Sequence, residues 1–219
     1  MRAFVRRLFV AIACGAVLLS ASTQINAQTA LPPSQVQVDL FRGLADIFSR
    51  GMDTLADKLN RQGYSARVYS TGGWQSVARR IADQYARGQR GLVVLIGHSL
   101  GANATLDIAN ELNKANIPIE LIVTFDATEP HPVPKNVLHL VNFYQNNGFG
   151  KKINPGPGFQ GELSNLDLTA DANIRHVTID KSDRLHAYVV AKIAEIVNKD
   201  LADKVKAKAS KSKKKKRSS

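Results

Sequence analysis

The sequence predicts an α/β fold: a predominantly parallel, doubly wound sheet of about six strands with helices on both faces. Two observations support this prediction. Continuous apolar runs, at 92–96 and 119–125, have the length and composition of strands that are buried on both faces. Between one such run and the next lies a segment with apolar residues at helical spacing. This is expected when helices connect neighbouring parallel strands.

Each element is indicated by its own pattern. Gln35 to Leu40 alternates apolar and polar residues, which predicts a first strand. Apolar residues at helical spacing predict helices over 51–62, 74–87, 102–113 and 185–201. A glycine follows each of the first two and marks its end. The remaining strands are predicted at 66–69, 91–96, 119–125, 137–143 and 174–179. These elements assign residues 28–203 to one domain.

The most specific motif is Gly97-His98-Ser99-Leu100-Gly101, which joins an apolar strand to the helix that follows it. At such a junction, the pattern places the serine on a sharp turn with its hydroxyl above the edge of the sheet. The flanking glycines let the strand and the helix approach closely. The N–H of Leu100 then lies at the N-terminal end of the helix, where an oxyanion can be held. A glycine-rich turn without chemistry is the alternative interpretation.

Residues 1–27 have the organisation of a secretory signal peptide. Basic residues precede an apolar segment, and Ile25-Asn26-Ala27 is a suitable cleavage site. The apolar segment is too short for a stable membrane span, although an uncleaved anchor is the alternative. The only cysteine, Cys14, lies within this segment, so the exported chain would have no disulfide and no thiolate metal site. These features predict a periplasmic or secreted protein.

The positive charge is concentrated at the two ends of the chain. The formal net charge is +12, but residues 28–198 carry 17 basic and 16 acidic side chains. Residues 204–219 carry nine basic side chains and no acidic or aromatic ones, a composition that predicts a disordered tail. Weak electrostatic contact with an anionic membrane surface and a purely solubilising role are both consistent with this tail. A specific nucleic-acid partner is not expected, because the body has neither a basic face nor stacking aromatics.

A serine hydroxyl becomes a good nucleophile when a base removes its proton and a third group orients that base. Reactive groups in a parallel sheet gather at the carboxyl ends of the strands. Asp126 directly follows the apolar strand 119–125, so we expect it to be the orienting acid. An aspartate at the end of a strand is also a common turn residue, which is the alternative.

Five histidines compete for the role of the base. His186 is preferred, because it follows the last predicted strand and a polar loop and gives the chain order Ser, Asp, His. His131, in a proline-bounded loop just after Asp126, is the main rival. The other three are set aside, one as too close in sequence to Ser99 and two as strand residues: His98, His139 and His176. The alternative for His186 is a helix-capping or surface histidine.

At these residues the sequence resembles the α/β-hydrolase family, over roughly residues 36–198. The resemblance rests on the 97–101 motif, on Phe125-Asp126, on the late His186 and on the first loop, Phe41-Arg42-Gly43-Leu44. In the family that loop commonly carries a His-Gly pair and supplies the second oxyanion donor. Arg42 replaces the histidine here, which leaves Leu44 or Gly43 as the donor. The acid follows the first strand after the motif, as in some lipases, whereas many members place it one strand later.

The resemblance implies that a Ser99–His186–Asp126 triad cleaves an ester or thioester through an acyl-enzyme, with the oxyanion held by the N–H groups of Leu100 and Leu44. It implies a small-molecule or lipid-like substrate and no metal or organic cofactor. No large cap domain is predicted. The glycine-rich stretch 145–173 is expected to be a flexible loop over the site or a surface excursion. A non-catalytic binding module, attached to an anionic envelope by the Lys-rich tail, is the alternative function.

Overall fold

The computed structural model describes residues 36–44 and 49–217, with side chains described as far as residue 210. The strands within these ranges are β1 (Val36–Phe41), β2 (Ser65–Tyr69), β3 (Leu92–His98), β4 (Ile119–Phe125), β5 (Val137–Tyr144) and β6 (Glu162–Asp167). The α-helices are α1 (Gly51–Arg61), α2 (Trp74–Ala86), α3 (Leu100–Asn113) and α4 (Asp183–Arg217). The predicted signal peptide lies outside the described residues.

The six strands form one all-parallel sheet in the order β2-β1-β3-β4-β5-β6. Helices α1 and α4 cover one face and contribute Met52, Leu55, Val189 and Ile193 to its core. Helices α2 and α3 cover the other face, where Val77, Ile81, Leu106 and Leu112 are buried. The predicted fold class, a doubly wound parallel sheet with helices on both faces, is confirmed.

The topology brings the first loop and the Gly-x-Ser-x-Gly motif together. The chain runs from β1 outward to β2 and then returns to add β3 on the other side of β1. The carboxyl ends of β1 and β3 are therefore adjacent at a point where the strand order reverses, and such a crevice is where open α/β sheets place their sites. The first loop follows β1, and Ser99 follows β3.

The last strand differs from the prediction. The segment 174–179 is not a strand; it consists of turns that lead into a 3-10 helix, Ile179–Lys181. The sixth strand is β6, inside the stretch expected to be a loop, and its sequence Glu-Leu-Ser-Asn-Leu-Asp is largely polar. Because β6 is an edge strand that is only partly buried, it does not need the apolar run that identifies an inner strand.

Helix α4 is longer than predicted. It starts beside the 3-10 helix and passes over the sheet, and Ile196, Lys199, Asp200 and Asp203 lie near the amino-terminal ends of β4, β5 and β6. It then continues as a helix to Arg217, into the segment for which the sequence predicts a disordered tail. Lysine and alanine are strong helix formers, and extending an existing helix avoids the cost of nucleation. Among the described residues, no helix is both long and apolar enough to cross a membrane.

Candidate active site

Ser99 lies on a strained turn between β3 and α3. Its φ of 57° and ψ of −123° are unusual for a residue with a side chain. The turn depends on both glycines of the motif. A Cβ at Gly97 would lie 2.2 Å from the carbonyl oxygen of Gly101, and a Cβ at Gly101 would lie 2.3 Å from that of Phe41. The motif therefore forms the sharp strand-to-helix turn that the sequence predicts.

Asp126 lies at the carboxyl end of β4, next to Ser99 in the sheet. It is fully buried and has a positive φ of 55°. Its Oδ1 atom accepts a hydrogen bond of 3.0 Å from the N–H of Gln145. Gly150 packs so closely over the carboxylate that a Cβ there would lie 1.8 Å from Oδ1. The carboxylate is thus fixed through Oδ1, and its second oxygen, Oδ2, contacts His176.

His176 connects these two residues. Its Nδ1 atom is 2.7 Å from Oδ2 of Asp126, and its Nε2 atom is 3.0 Å from Oγ of Ser99. A carboxylate can only accept hydrogen bonds, so Nδ1 carries the proton and Nε2 is free to accept the serine hydroxyl. This is the arrangement of a nucleophile, a base and an orienting acid.

His186 is not beside Ser99, and its predicted placement is wrong. The side chain is fully buried at the start of α4. Its Nε2–H donates to the carbonyl of Asp180 at 2.6 Å, and its Nδ1 accepts from Nζ of Lys58 at 3.1 Å. Burial lowers the pKa of His186, in keeping with a neutral structural residue. His176, ten positions earlier in the chain, has the contacts with Ser99 and Asp126 that the sequence led us to expect of His186.

The rival His131 does not line the cavity that contains Ser99. Its Nε2 atom lies 3.3 Å from Oδ1 of Asp107, and the side chain is largely exposed. Both residues line a surface cavity of about 650 Å³ that includes Trp74 and Pro132. This cavity is larger than the one at Ser99, but it contains neither Ser99 nor Asp126, so size alone does not identify the site.

The two predicted oxyanion residues both line the cavity at Ser99. Leu100 is the first residue of α3, and an N–H at this position has no partner within the helix. The N–H of Gly43 is not available, because it donates to Oγ of Ser49 at 2.8 Å. Of the two donors that the sequence left open, Leu44 is the one that agrees with these contacts. Arg42, which replaces the family's histidine, pairs with Asp53 of α1 and ties the first loop to that helix.

His98, inside the motif, has both ring nitrogens occupied. Its Nδ1 is 2.8 Å from Oγ of Ser49, and its Nε2 is 2.8 Å from the carbonyl oxygen of His176. Only 1 % of the residue is exposed, and burial lowers its pKa to about 4. His98 is therefore neutral at physiological pH.

The cavity above Ser99 has a volume of about 390 Å³ and a mainly apolar wall. Three of its lining residues are large apolar side chains that are also exposed to solvent: Leu44, Phe149 and Val177. Phe149 belongs to the stretch 145–173, so part of this stretch does lie at the site. The described residues include no group of three or more His, Cys, Asp or Glu side chains that could hold a metal ion.

Several solved structures are similar to this chain. Human thioesterase 2 is 13 % identical, with a TM-score of 0.49, over 75 % of this chain and 96 % of that one. A thioesterase from the prodiginine pathway of Streptomyces coelicolor is 13 % identical, with a TM-score of 0.46, over 83 % and 97 %. The esterase domain of a Rhodothermus marinus protein is 15 % identical, with a TM-score of 0.44, over 76 % and 89 %. No curated protein sequence matches significantly.

The family of this chain follows from its match to a family model. The model of the Thioesterase domain matches residues 29–201, which include all six strands and every residue of the candidate site. The matched range covers most of the chain, and it agrees with the parallel sheet and with the serine turn. The chain belongs to the Thioesterase domain family, a group of α/β hydrolases that act on esters and thioesters.

Proposed function

We propose that the protein hydrolyses a carboxylic ester or thioester, with Ser99 as the nucleophile, His176 as the general base and Asp126 as the group that orients the base. The observation that carries the proposal is the pair of hydrogen bonds made by His176, one to Ser99 and one to Asp126. His176 here takes the role that the sequence gave to His186.

In the first half of the reaction, Nε2 of His176 takes the hydroxyl proton of Ser99 while Oγ attacks the substrate carbonyl carbon. The carbonyl π electrons move onto oxygen, and the N–H groups of Leu100 and Leu44 stabilise this oxyanion. When the tetrahedral intermediate collapses, the bond to the leaving group breaks. Imidazolium at His176 donates its proton to the leaving alcohol or thiol, and an acyl-enzyme on Ser99 remains.

In the second half, water repeats the same steps. His176 takes a proton from water, and the resulting hydroxide attacks the acyl carbon. The second tetrahedral intermediate expels Oγ of Ser99, which regains its proton from His176, and the carboxylic acid leaves. Asp126 stabilises the imidazolium in both halves, because its buried carboxylate lies 2.7 Å from Nδ1.

The cavity favours a substrate with an apolar acyl group. Leu44, Phe149 and Val177 present apolar surface at its mouth, and covering that surface with an acyl chain would remove it from water. A volume of about 390 Å³ lies at the lower end of the range for small-molecule sites. We therefore expect p-nitrophenyl esters of medium chain length to be hydrolysed faster than the acetate.

A fluorophosphonate probe tests the proposal directly, because it reacts with an activated serine and leaves ordinary serines unmodified. The parent protein should be labelled at Ser99, and the Ser99→Ala variant should not. Ser76→Ala, which removes an exposed serine on α2, serves as the matched control and should be labelled like the parent. A folded parent that resists the probe and hydrolyses no ester would instead favour the non-catalytic binding module.

We also propose that the protein is exported, on the strength of the signal-peptide pattern in residues 1–27. The mature chain would begin near Gln28 and contain no cysteine. Mass spectrometry of the protein from its native cell envelope tests this. An intact Met1, or a lipid attached to Cys14, would contradict it.

A further inference from the structure

We infer that His98 is a positioning residue. Through one series of hydrogen bonds, it fixes the first loop, which carries the proposed oxyanion donor Leu44, relative to the base, His176. This inference rests on the proposed function, because it assigns a role within the same hydrolytic site. This series of hydrogen bonds links Gly43 to Ser49, Ser49 to His98, and His98 to His176. It joins two loops that are separated by more than a hundred residues in sequence.

The direction of each hydrogen bond follows from the chemistry of its atoms. The carbonyl oxygen of His176 can only accept, so Nε2 of His98 must carry a proton. In a neutral imidazole Nδ1 is then an acceptor, and the hydroxyl of Ser49 donates to it. Ser49 Oγ in turn accepts the N–H of Gly43. Every donor in the series thus meets an acceptor, and only one tautomer of His98 satisfies all three contacts.

These hydrogen bonds are shielded from water. Ser49 and His98 are each 1 % exposed, so water does not compete for these hydrogen bonds. Breaking one of them would leave a buried polar group without a partner, which strongly disfavours other positions of the loops. A neutral His98 also places no positive charge beside the imidazole of His176, whose ring centroid is 5.0 Å from its own.

The two residues at the ends of this series, Gly43 and His176, lie where the position of the backbone matters for the reaction. Gly43 packs against the nucleophile, since a Cβ on it would lie 2.9 Å from Cβ of Ser99. The next residue, Leu44, carries the proposed second oxyanion donor. At the other end, the accepted hydrogen bond fixes the backbone of His176 directly at its carbonyl. His98 itself does not touch the reacting atoms, and it acts through these two residues.

The test compares three variants of the full chain. His98→Phe keeps an aromatic ring but removes both hydrogen bonds, His98→Gln keeps a side-chain N–H donor, and Ser49→Ala breaks the link to Gly43. We expect His98→Phe to lower kcat and the rate of fluorophosphonate labelling about 10- to 100-fold, as expected for small displacements of reacting groups, with KM changed less than about threefold. His98→Gln should recover part of this loss.

Two core variants control for a simple loss of stability. Val94→Ala and Ile96→Val shorten buried residues of the same strand, β3, and should lower the melting temperature with kcat close to that of the parent. If the change in kcat of His98→Phe is no larger than that of controls with the same loss of melting temperature, His98 is only a packing residue. Combining Ser49→Ala with His98→Phe should cost no more than His98→Phe alone, because both break one series of hydrogen bonds.

The labelling experiment separates failure of this inference from failure of the proposed function. If the parent is labelled and His98→Phe is labelled at the same rate, the positioning role is overturned and the hydrolase remains. If the parent is not labelled at all, both are overturned. The Ser49→Ala variant keeps the test decisive should His98→Phe not fold, since it must then show a fall in kcat without a change in KM.

Discussion

Phe149 packs against the imidazole of His176, with ring centroids 4.9 Å apart and the rings inclined at 49°. The phenyl ring stands between glycines 148 and 150 and remains 66 % exposed. It lines the cavity at Ser99 and also a second cavity, to which Arg175 contributes. An exposed aromatic ring in this position can shield the base from water and still meet a substrate.

Phe149→Ala should therefore reduce kcat/KM for a hexanoyl ester about 3- to 10-fold, because an aromatic contact of this kind contributes about 0.5–1.5 kcal/mol. The loss should be smaller for the acetyl ester, because its shorter acyl group has less apolar surface to bury against the ring. Steady-state kinetics on the two p-nitrophenyl esters measure the difference. Tyr188→Ala removes another exposed aromatic residue, on α4, and should leave both substrates unaffected. Equal losses on the two esters would exclude a substrate contact.

His176 and His186 should respond in opposite ways to substitution. His176→Ala should lower ester turnover by about three or more decades, with little change in stability, since it removes the base. His186→Phe should keep turnover within about threefold. It should cost about 1–3 kcal/mol of unfolding free energy, because the buried carbonyl of Asp180 loses its donor. Kinetics and urea denaturation of both variants decide the assignment, and an inactive but stable His186→Phe would reverse it.

The sequence was sufficient to locate the serine turn and the position of Asp126 at the end of β4, because both follow long apolar strands whose ends are easy to identify. It was not sufficient for His176. Residues 177–179 are the β-branched run Val-Thr-Ile, which is typical of a strand. In the structure, however, Oγ1 of Thr178 accepts the N–H of Arg175 and Oδ1 of Asp171 accepts the N–H of Asn173, which are turn contacts. The spacing of Asp171, Asn173 and Thr178 was a signal for turns that this β-branched run obscured.

Asp180 should make the stability of the protein depend on pH. Burial raises the pKa of this carboxyl from 3.8 to about 6, although one of its oxygens accepts the N–H of Gly51. The folded state binds this proton more tightly, so the contribution to stability is full below pH 3.8 and is lost as the pH rises through 6. The shift corresponds to at most about 3 kcal/mol.

Asp180→Asn cannot ionise and should remove this dependence. The unfolding free energy of the variant minus that of the parent should therefore grow between pH 4 and pH 7. Urea denaturation at several pH values measures it, with Asp57→Asn, an exposed acid on α1, as the control. A difference that stays constant over this range would show that Asp180 is ionised throughout.

Removal of residues 204–219 should leave hydrolysis of a soluble ester unchanged, because the six strands and the Ser99–His176–Asp126 group lie outside this segment. The deletion removes nine positive charges and no negative ones. Near an anionic membrane each is worth at most about 1 kcal/mol, and less as salt increases. Full-length protein should therefore sediment with phosphatidylglycerol vesicles at low salt, whereas the truncated protein should not. Equal sedimentation would leave the tail a solubilising extension.

The path of α4 decides which way such an attached enzyme would face. Ser99 and Asp126 lie at the carboxyl ends of the strands, whereas α4 passes the amino-terminal ends before its basic part begins. With a rise of about 1.5 Å per residue, residues 204–217 extend roughly 20 Å further in that direction. If this helix held the protein at a surface, the amino-terminal ends of the strands would face that surface. The cavity at Ser99 would then open away from it, into the surrounding medium. Its substrates would then arrive by diffusion from solution or on a carrier, and not from the layer to which the enzyme is anchored.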